Sequence, residues 1–186
     1  MLLNNITQMK KIIVVLFLSI CSYACSNALP SNTTIYIVRH AEKDVSDPKN
    51  QDPELSDIGI ARVKALNEKL KNQKIDAVFS SKFKRTIKTG LDIAKSNKLV
   101  VQEYDAHNYK ELTDLVKTKF KNKKVLIIGH SNTVLELVES FGVTRPLGAL
   151  TDDDYDFFFE VKIDHMGKVA LSTSQYGKPH RNSIIK

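Results

Sequence analysis

The stretch Thr33-Thr34-Ile35-Tyr36-Ile37-Val38, followed directly by Arg39-His40-Ala41-Glu42-Lys43, sets the reading of the chain. Its first six residues are β-branched or aromatic, the composition of a short buried strand, and charge begins where the strand must end. Three similar runs follow at Ile75 to Phe79, Leu99 to Tyr104 and Lys124 to Ile128. Helical patterns lie between them. Ser56 is a good N-cap with Asp57 in the first turn, and Ile60, Val63, Leu66 and Leu70 follow on one side. Thr86 to Ser96 carries Ile87, Leu91 and Ala94; Tyr109 to Phe120 carries Leu112, Leu115, Val116 and Phe120; Asn132 to Phe141 carries Val134, Leu137, Val138 and Phe141. Strands alternating with helices imply crossover units on a parallel sheet. The expected fold is α/β: a three-layer α/β/α sandwich with a mostly parallel central sheet. Gly142 to Asp154 reads as a loop. Tyr155 to Ile163 and Lys168 to Gln175, joined by Asp164-His165-Met166-Gly167, read as a closing hairpin at the sheet edge.

With 186 residues, 42% hydrophobic and 26% charged, the chain has room for one well-packed domain, and its composition excludes disordered, collagen-like and polytopic membrane classes. The net charge of +7, spread along the chain, favours anionic partners. Cys21 and Cys25 are the only cysteines, so nothing downstream can form a disulfide framework or a thiolate metal site. Lys10-Lys11, the apolar run Ile12 to Ile20 and the closing Tyr23-Ala24-Cys25 form a secretory signal pattern. The run falls short of the roughly 20 residues that cross a bilayer. Cysteine directly after Ala24 resembles a bacterial lipobox, although Ser22 stands where a larger aliphatic residue is usual. Residues 1–25 are therefore expected to be a signal peptide and residues 26–186 the working domain. The expected location is extracytoplasmic, either attached to the membrane through a lipidated Cys25 or freely secreted into the periplasm.

In open parallel sheets, ligands bind beyond the carboxyl ends of the strands. Those ends carry Arg39-His40, then Ser80-Ser81 with Lys82, Lys84 and Arg85, then Gly129-His130-Ser131-Asn132. Two histidines, two arginines, Ser81 and the amides opening the helices can converge on one crevice. Bidentate arginines and helix N-termini suit phosphate or sulfate, and neutral imidazoles offer a nucleophile and a hydrogen-bond partner. The chain has no His-Glu-x-x-His, no Gly-rich Lys-Ser/Thr loop and no Gly-x-Ser-x-Gly elbow, so zinc hydrolases, nucleotide triphosphatases and serine hydrolases lack their parts. No metal or cofactor is expected. Nucleic-acid binding lacks interleaved aromatics or a recognised motif. Lys82, Lys84, Lys88, Lys95 and Lys98 read as a solvated helix face, and His107, His165 and His180 as loop residues without a role.

Together these residues resemble the histidine phosphatase superfamily, also called the phosphoglycerate-mutase-like family. Val38-Arg39-His40-Ala41-Glu42-Lys43 matches its Arg-His-Gly signature, and Leu55-Ser56-Asp57-Ile58-Gly59 its Leu-Thr-x-x-Gly helix start. Ser80-Ser81 with Arg85-Thr86 and Gly129-His130-Ser131-Asn132 complete the ordered set, which spans Thr33 to Tyr176. The short connections look most like the small secreted bacterial members; a phosphoglycerate mutase proper has longer insertions over its site. The resemblance implies metal-free phosphomonoester hydrolysis through a phosphohistidine on His40, with Arg39, Arg85, His130 and Ser81 around the phosphate. Two nearby arginines should keep His40 neutral. Ala41 replaces the signature glycine, and the acidic proton donor has no clear match: Asp105, after the third strand, is the candidate, with Glu103 and Glu42 behind it. The implied partners are small-molecule, sugar-linked or lipid-linked phosphate esters, or a phosphoprotein. A non-catalytic phosphate-ligand binding protein of the same fold is the alternative.

Overall fold

The structure, a computed structural model, describes residues 32–181. The expected signal segment and Cys25 lie outside the described residues. All seven residues of β1 (Thr33–Arg39) are buried, because the strand lies inside the sheet with helices on both faces. Successive side chains of a strand point to opposite faces. Accordingly Ile35 and Ile37 join one core, while Tyr36 and Val38 join another. β2 (Ala77–Ser80), β3 (Val101–Glu103) and β4 (Lys124–Gly129) run parallel to β1 in the spatial order β3-β2-β4-β1. β5 (Phe157–Ile163) and β6 (Val169–Gln175) form the expected hairpin; β5 pairs antiparallel with β1, and β6 takes the edge.

Among the described residues, two helices cover each face. α1 (Asp57–Leu70) and α2 (Lys84–Ser96) supply Leu66, Leu70, Ile93 and Ala94 to the core containing Val38. α3 (Tyr109–Lys119) and α4 (Val134–Ser140) supply Leu112, Val116, Leu137 and Val138 to the other. The helices form where the apolar spacing placed them, but their buried stripes differ from the expected ones. On α1 the stripe is Gly59, Arg62, Val63, Leu66 and Leu70, leaving Ile60 46% exposed. On α2 it is Thr86, Thr89, Gly90, Ile93 and Ala94, with Ile87 and Leu91 only half-buried. α2 approaches the sheet so closely that a Cβ on Gly90 would lie 2.6 Å from Ile128 Cδ1. Small and hydroxyl-bearing residues therefore occupy its inner face, where the sequence pattern favoured large ones.

The register fixes the site. Arg39 pairs with Gly129 and the ladder ends on a hydrogen bond from His40 N–H to Gly129 O, 2.9 Å. The residues just beyond, His40 and His130, thus leave adjacent strands together. Ser80 pairs with Ile128, which brings the second motif to the same end.

Candidate active site

The rings of His40 and His130 lie 5.3 Å apart, edge to face. His40 is 4% exposed. Its Nδ1 sits 2.8 Å from Ala41 O. A carbonyl only accepts, so Nδ1 carries the proton and Nε2 holds the free lone pair. Burial, then the charges of Arg39, His130 and Arg85, push the His40 pKa well below the ordinary histidine range against the opposing Ala41 hydrogen bond. The imidazole is neutral at neutral pH. The Ala41 N–H donates to Thr89 Oγ1 at 2.9 Å, and the Thr89 hydroxyl donates to Arg85 O at 2.7 Å, so α2 holds the backbone behind the histidine.

His130 is oriented by a chain of hydroxyls. Thr86 Oγ1 faces two carbonyls, Ser81 O at 2.9 Å and Phe83 O at 2.7 Å, which take its hydrogen. Ser81 Oγ then donates to Thr86 Oγ1 (2.9 Å) and accepts from His130 Nε2–H (2.7 Å). Burial, followed by the charges of Arg85, Arg39 and His107, lowers the His130 pKa to about 4.

Both guanidinium groups are held with donors to spare. Arg39 Nη1 donates to the carbonyls of Thr151, Asp152 and Asp154 at 2.8, 3.0 and 3.1 Å, and the group lies 3.8 Å over the Tyr155 ring. Arg85 rests on Phe83, with Nη1 3.8 Å from Asp52 Oδ1, an ion pair too long for a hydrogen bond. Arg39 Nε, Arg85 Nε and Arg85 Nη1 are buried donors without a hydrogen-bond partner among the described residues. Desolvated donors of this kind are costly unless something accepts from them.

Glu42 is also buried, but fully engaged. Arg62 Nε reaches both of its oxygens (3.0 and 3.1 Å), Arg62 Nη2 reaches Oε1 at 2.7 Å, and His180 Nδ1 lies 2.9 Å from the same oxygen. Burial raises its pKa, yet the bonds from Arg62 and His180 outweigh it, and the net shift is downward. Glu42 is a fixed carboxylate. Arg62 also donates to Tyr176 O (2.8 Å) and Lys178 O (2.9 Å), drawing the C-terminal segment across the site.

Arg39, His40, Arg85, His130, Tyr155 and His180 line one cleft of about 680 Å³. Two expected site residues lie elsewhere. Ser81, 2% exposed, stands behind His130 with its hydroxyl engaged as described, instead of facing the cleft. Asp105 lines a separate groove beside α3 with Glu103 and Glu111, and its carboxylate accepts the His107 N–H at 2.9 Å. The cause is topological: β3 is separated from β1 by β2 and β4, so the residues following it emerge away from His40. Sequence reasoning missed Tyr155, His180 and Arg62. For Arg62 a signal existed, a lone arginine inside the apolar stripe of an amphipathic helix. His180, 138 residues from Glu42, gave none.

The chain is an α/β protein whose mostly parallel, doubly covered sheet carries at its carboxyl end paired imidazoles and two guanidinium groups, a set that could hold an oxyanion. The profile of "Histidine phosphatase superfamily (branch 1)" matches residues 35–108 of this chain, the part that carries Arg39, His40 and Arg85. Phosphoserine phosphatase 1 of Hydrogenobacter thermophilus is 35% identical over 75 residues, 38% of this chain and 36% of that relative. The match therefore spans about a third of the relative's length. Among solved structures, the protein histidine phosphatase SixA complexed with tungstate superposes with a TM-score of 0.60 at 20% identity, covering 76% of this chain and 96% of that one. YhfR of Bacillus stearothermophilus gives 0.62 at 14% identity, covering 76% and 96%. A mycobacterial glucosyl-3-phosphoglycerate phosphatase gives 0.59 at 14% identity, covering 77% and 99%. These superpositions establish the phosphoglycerate-mutase-like fold.

Proposed function

We propose that the protein is a phosphomonoester hydrolase that works through a covalent phosphohistidine on His40. The observation carrying this reading is the state of His40: neutral, with Nδ1–H bound to Ala41 O and Nε2 without a partner among the described residues, in a cleft lined by Arg39 and Arg85, three of whose buried N–H groups likewise have no hydrogen-bond partner there. Nε2 attacks phosphorus in line with the departing oxygen, and Nδ1–H stays on its carbonyl throughout. Arg39, Arg85 and His130 hold the equatorial oxygens, where charge sits in the transition state. A bound phosphate dianion favours the second proton on His130, which then donates as well. Ser81 acts through His130 and does not touch the phosphate. The two arginines supply the positive charge that a metal ion supplies in other phosphatases, so the reaction needs none.

The substrate class is a phosphate monoester or a related phosphoryl compound, supported by relatives named as phosphoserine, sugar-phosphate and protein histidine phosphatases. Lipid-linked esters and phosphoproteins remain within this class. The signal pattern ending at Cys25 supports an extracytoplasmic enzyme of the small secreted type, attached to the membrane when that cysteine is lipidated. A non-catalytic phosphate binder would not need a nucleophilic nitrogen kept neutral and free, which favours turnover.

Nitrophenyl phosphate should release phosphate at the same rate with and without EDTA, and His40→Ala should reduce release to background. Activity that vanishes with EDTA and returns with zinc or magnesium contradicts the proposal.

A further inference from the structure

Asp105 lies outside the cleft and Glu42 is locked as a carboxylate by Arg62, so neither delivers a proton to a leaving group there. Among the described residues, the third imidazole lining the cleft beside His40 and His130 is His180. Its Nδ1 lies 2.9 Å from Glu42 Oε1, and since an ionised carboxylate only accepts, Nδ1 carries a proton whatever the state of the ring. The nitrogen left to gain or lose a proton is Nε2, which lies 4.0 Å from Asp153 Oδ1 at the cleft rim. The ring packs on Tyr155 with centroids 5.2 Å apart, and Tyr155 in turn touches His40 (5.9 Å) and Arg39. The backbone is pinned too: Tyr155 N–H donates to His180 O at 2.9 Å, and Arg181 pairs with buried Asp156. A carboxylate fixing one nitrogen of an imidazole whose ring lines a reaction cleft is the arrangement of a general acid–base histidine.

We propose that His180, oriented by Glu42, is the proton carrier of this site. The assignment rests on the phosphohistidine reading above. In the first step the bond between phosphorus and the ester oxygen breaks and its electron pair stays on that oxygen. The oxygen takes the Nε2 proton of the His180 imidazolium and leaves as the alcohol, while His40 Nε2 bonds to phosphorus. In the second step water attacks the phosphohistidine and gives a proton to neutral His180. The P–N bond breaks, its electron pair returns to His40, and inorganic phosphate leaves. The cycle closes with His180 protonated again.

The test is the rate of the first turnover, followed as label arriving on His40, for native protein and His180→Gln. A basic leaving group needs an acid, whereas nitrophenolate hardly does. His180→Gln should slow labelling from ethyl phosphate by about 100-fold or more, the usual range for acid catalysis, and labelling from nitrophenyl phosphate by less than about threefold. Added imidazole should restore part of the ethyl phosphate rate in His180→Ala. Equal losses on both substrates, which a merely structural His180 would give, overturn the assignment, as does no loss on either. Failure of the native protein to label His40 at all would overturn the phosphohistidine reading itself, an outcome distinct from either of these.

Discussion

Arg39 and Arg85 both line the cleft and both carry buried donors without a hydrogen-bond partner among the described residues, but they are built in differently. Arg39 closes three backbone carbonyls of the 151–154 segment, while Arg85 has only Phe83 beneath it and Asp52 at 3.8 Å. Alanine at either position should remove about 2–4 kcal/mol of transition-state stabilisation, a fall of roughly 30- to 1000-fold in kcat/KM. Arg39→Ala should also lower the melting temperature, because it leaves three carbonyls without their donor; Arg85→Ala should not. Lys84→Ala, at an exposed side chain, should leave both quantities unchanged. Steady-state kinetics with nitrophenyl phosphate and thermal melts of the three variants check this, and a Lys84 effect as large as that of Arg85 would contradict it. At this scale the sequence was informative because each of these groups directly follows a strand or opens a helix. Ser81 shows the limit: position made it a phosphate ligand, but Thr86 and His130, invisible as neighbours in the sequence, take up its hydroxyl.

At the scale of elements, the start of α1 packs against the loop that carries His40. Ser56 donates to Glu42 O through its backbone N–H at 3.0 Å, and its hydroxyl lies 3.3 Å from the same oxygen. Ser56 Oγ also caps the helix by accepting the Gly59 N–H at 3.2 Å. A Cβ on Gly59 would stand 2.1 Å from Glu42 O, so Gly59→Ala must push the helix away from the residue two beyond His40. Urea unfolding should show a loss of about 1–3 kcal/mol, as for other overpacked sites. Displacement of the His40 loop should reduce phosphate release by about 100-fold. Gly148→Ala, where an added methyl meets nothing within 4 Å, should change neither. Full activity in Gly59→Ala would show that this contact does not position the loop. The helix start was legible as Leu55-Ser56-Asp57-Ile58-Gly59, yet the inner face of α2 was not. Its Thr86, Thr89 and Gly90 are selected by close approach and by hydrogen bonds to Ser81 and Ala41, which hydrophobic periodicity does not report.

At the scale of the molecule, sheet order decides which ends meet. Parallel crossovers, the closing hairpin and the convergence of Arg39, His40, Arg85 and His130 were all readable, because alternating strands and helices leave few topologies open. The order β3-β2-β4-β1 was not readable, and it is what carries Asp105 to another groove. Nor could local pattern show that residues after β6 return over the cleft, held by Arg62, to set His180 against Glu42. The proposed reaction turns on one atom, His40 Nε2, and the fate of that atom can be read in a single quench experiment. Native protein mixed briefly with a radiolabelled phosphate ester and then denatured in base should carry acid-labile, base-stable label that maps to the peptide containing His40, and His40→Asn should carry none. Label on a serine such as Ser81, or phosphate release that continues undiminished in His40→Asn, would contradict the phosphohistidine account.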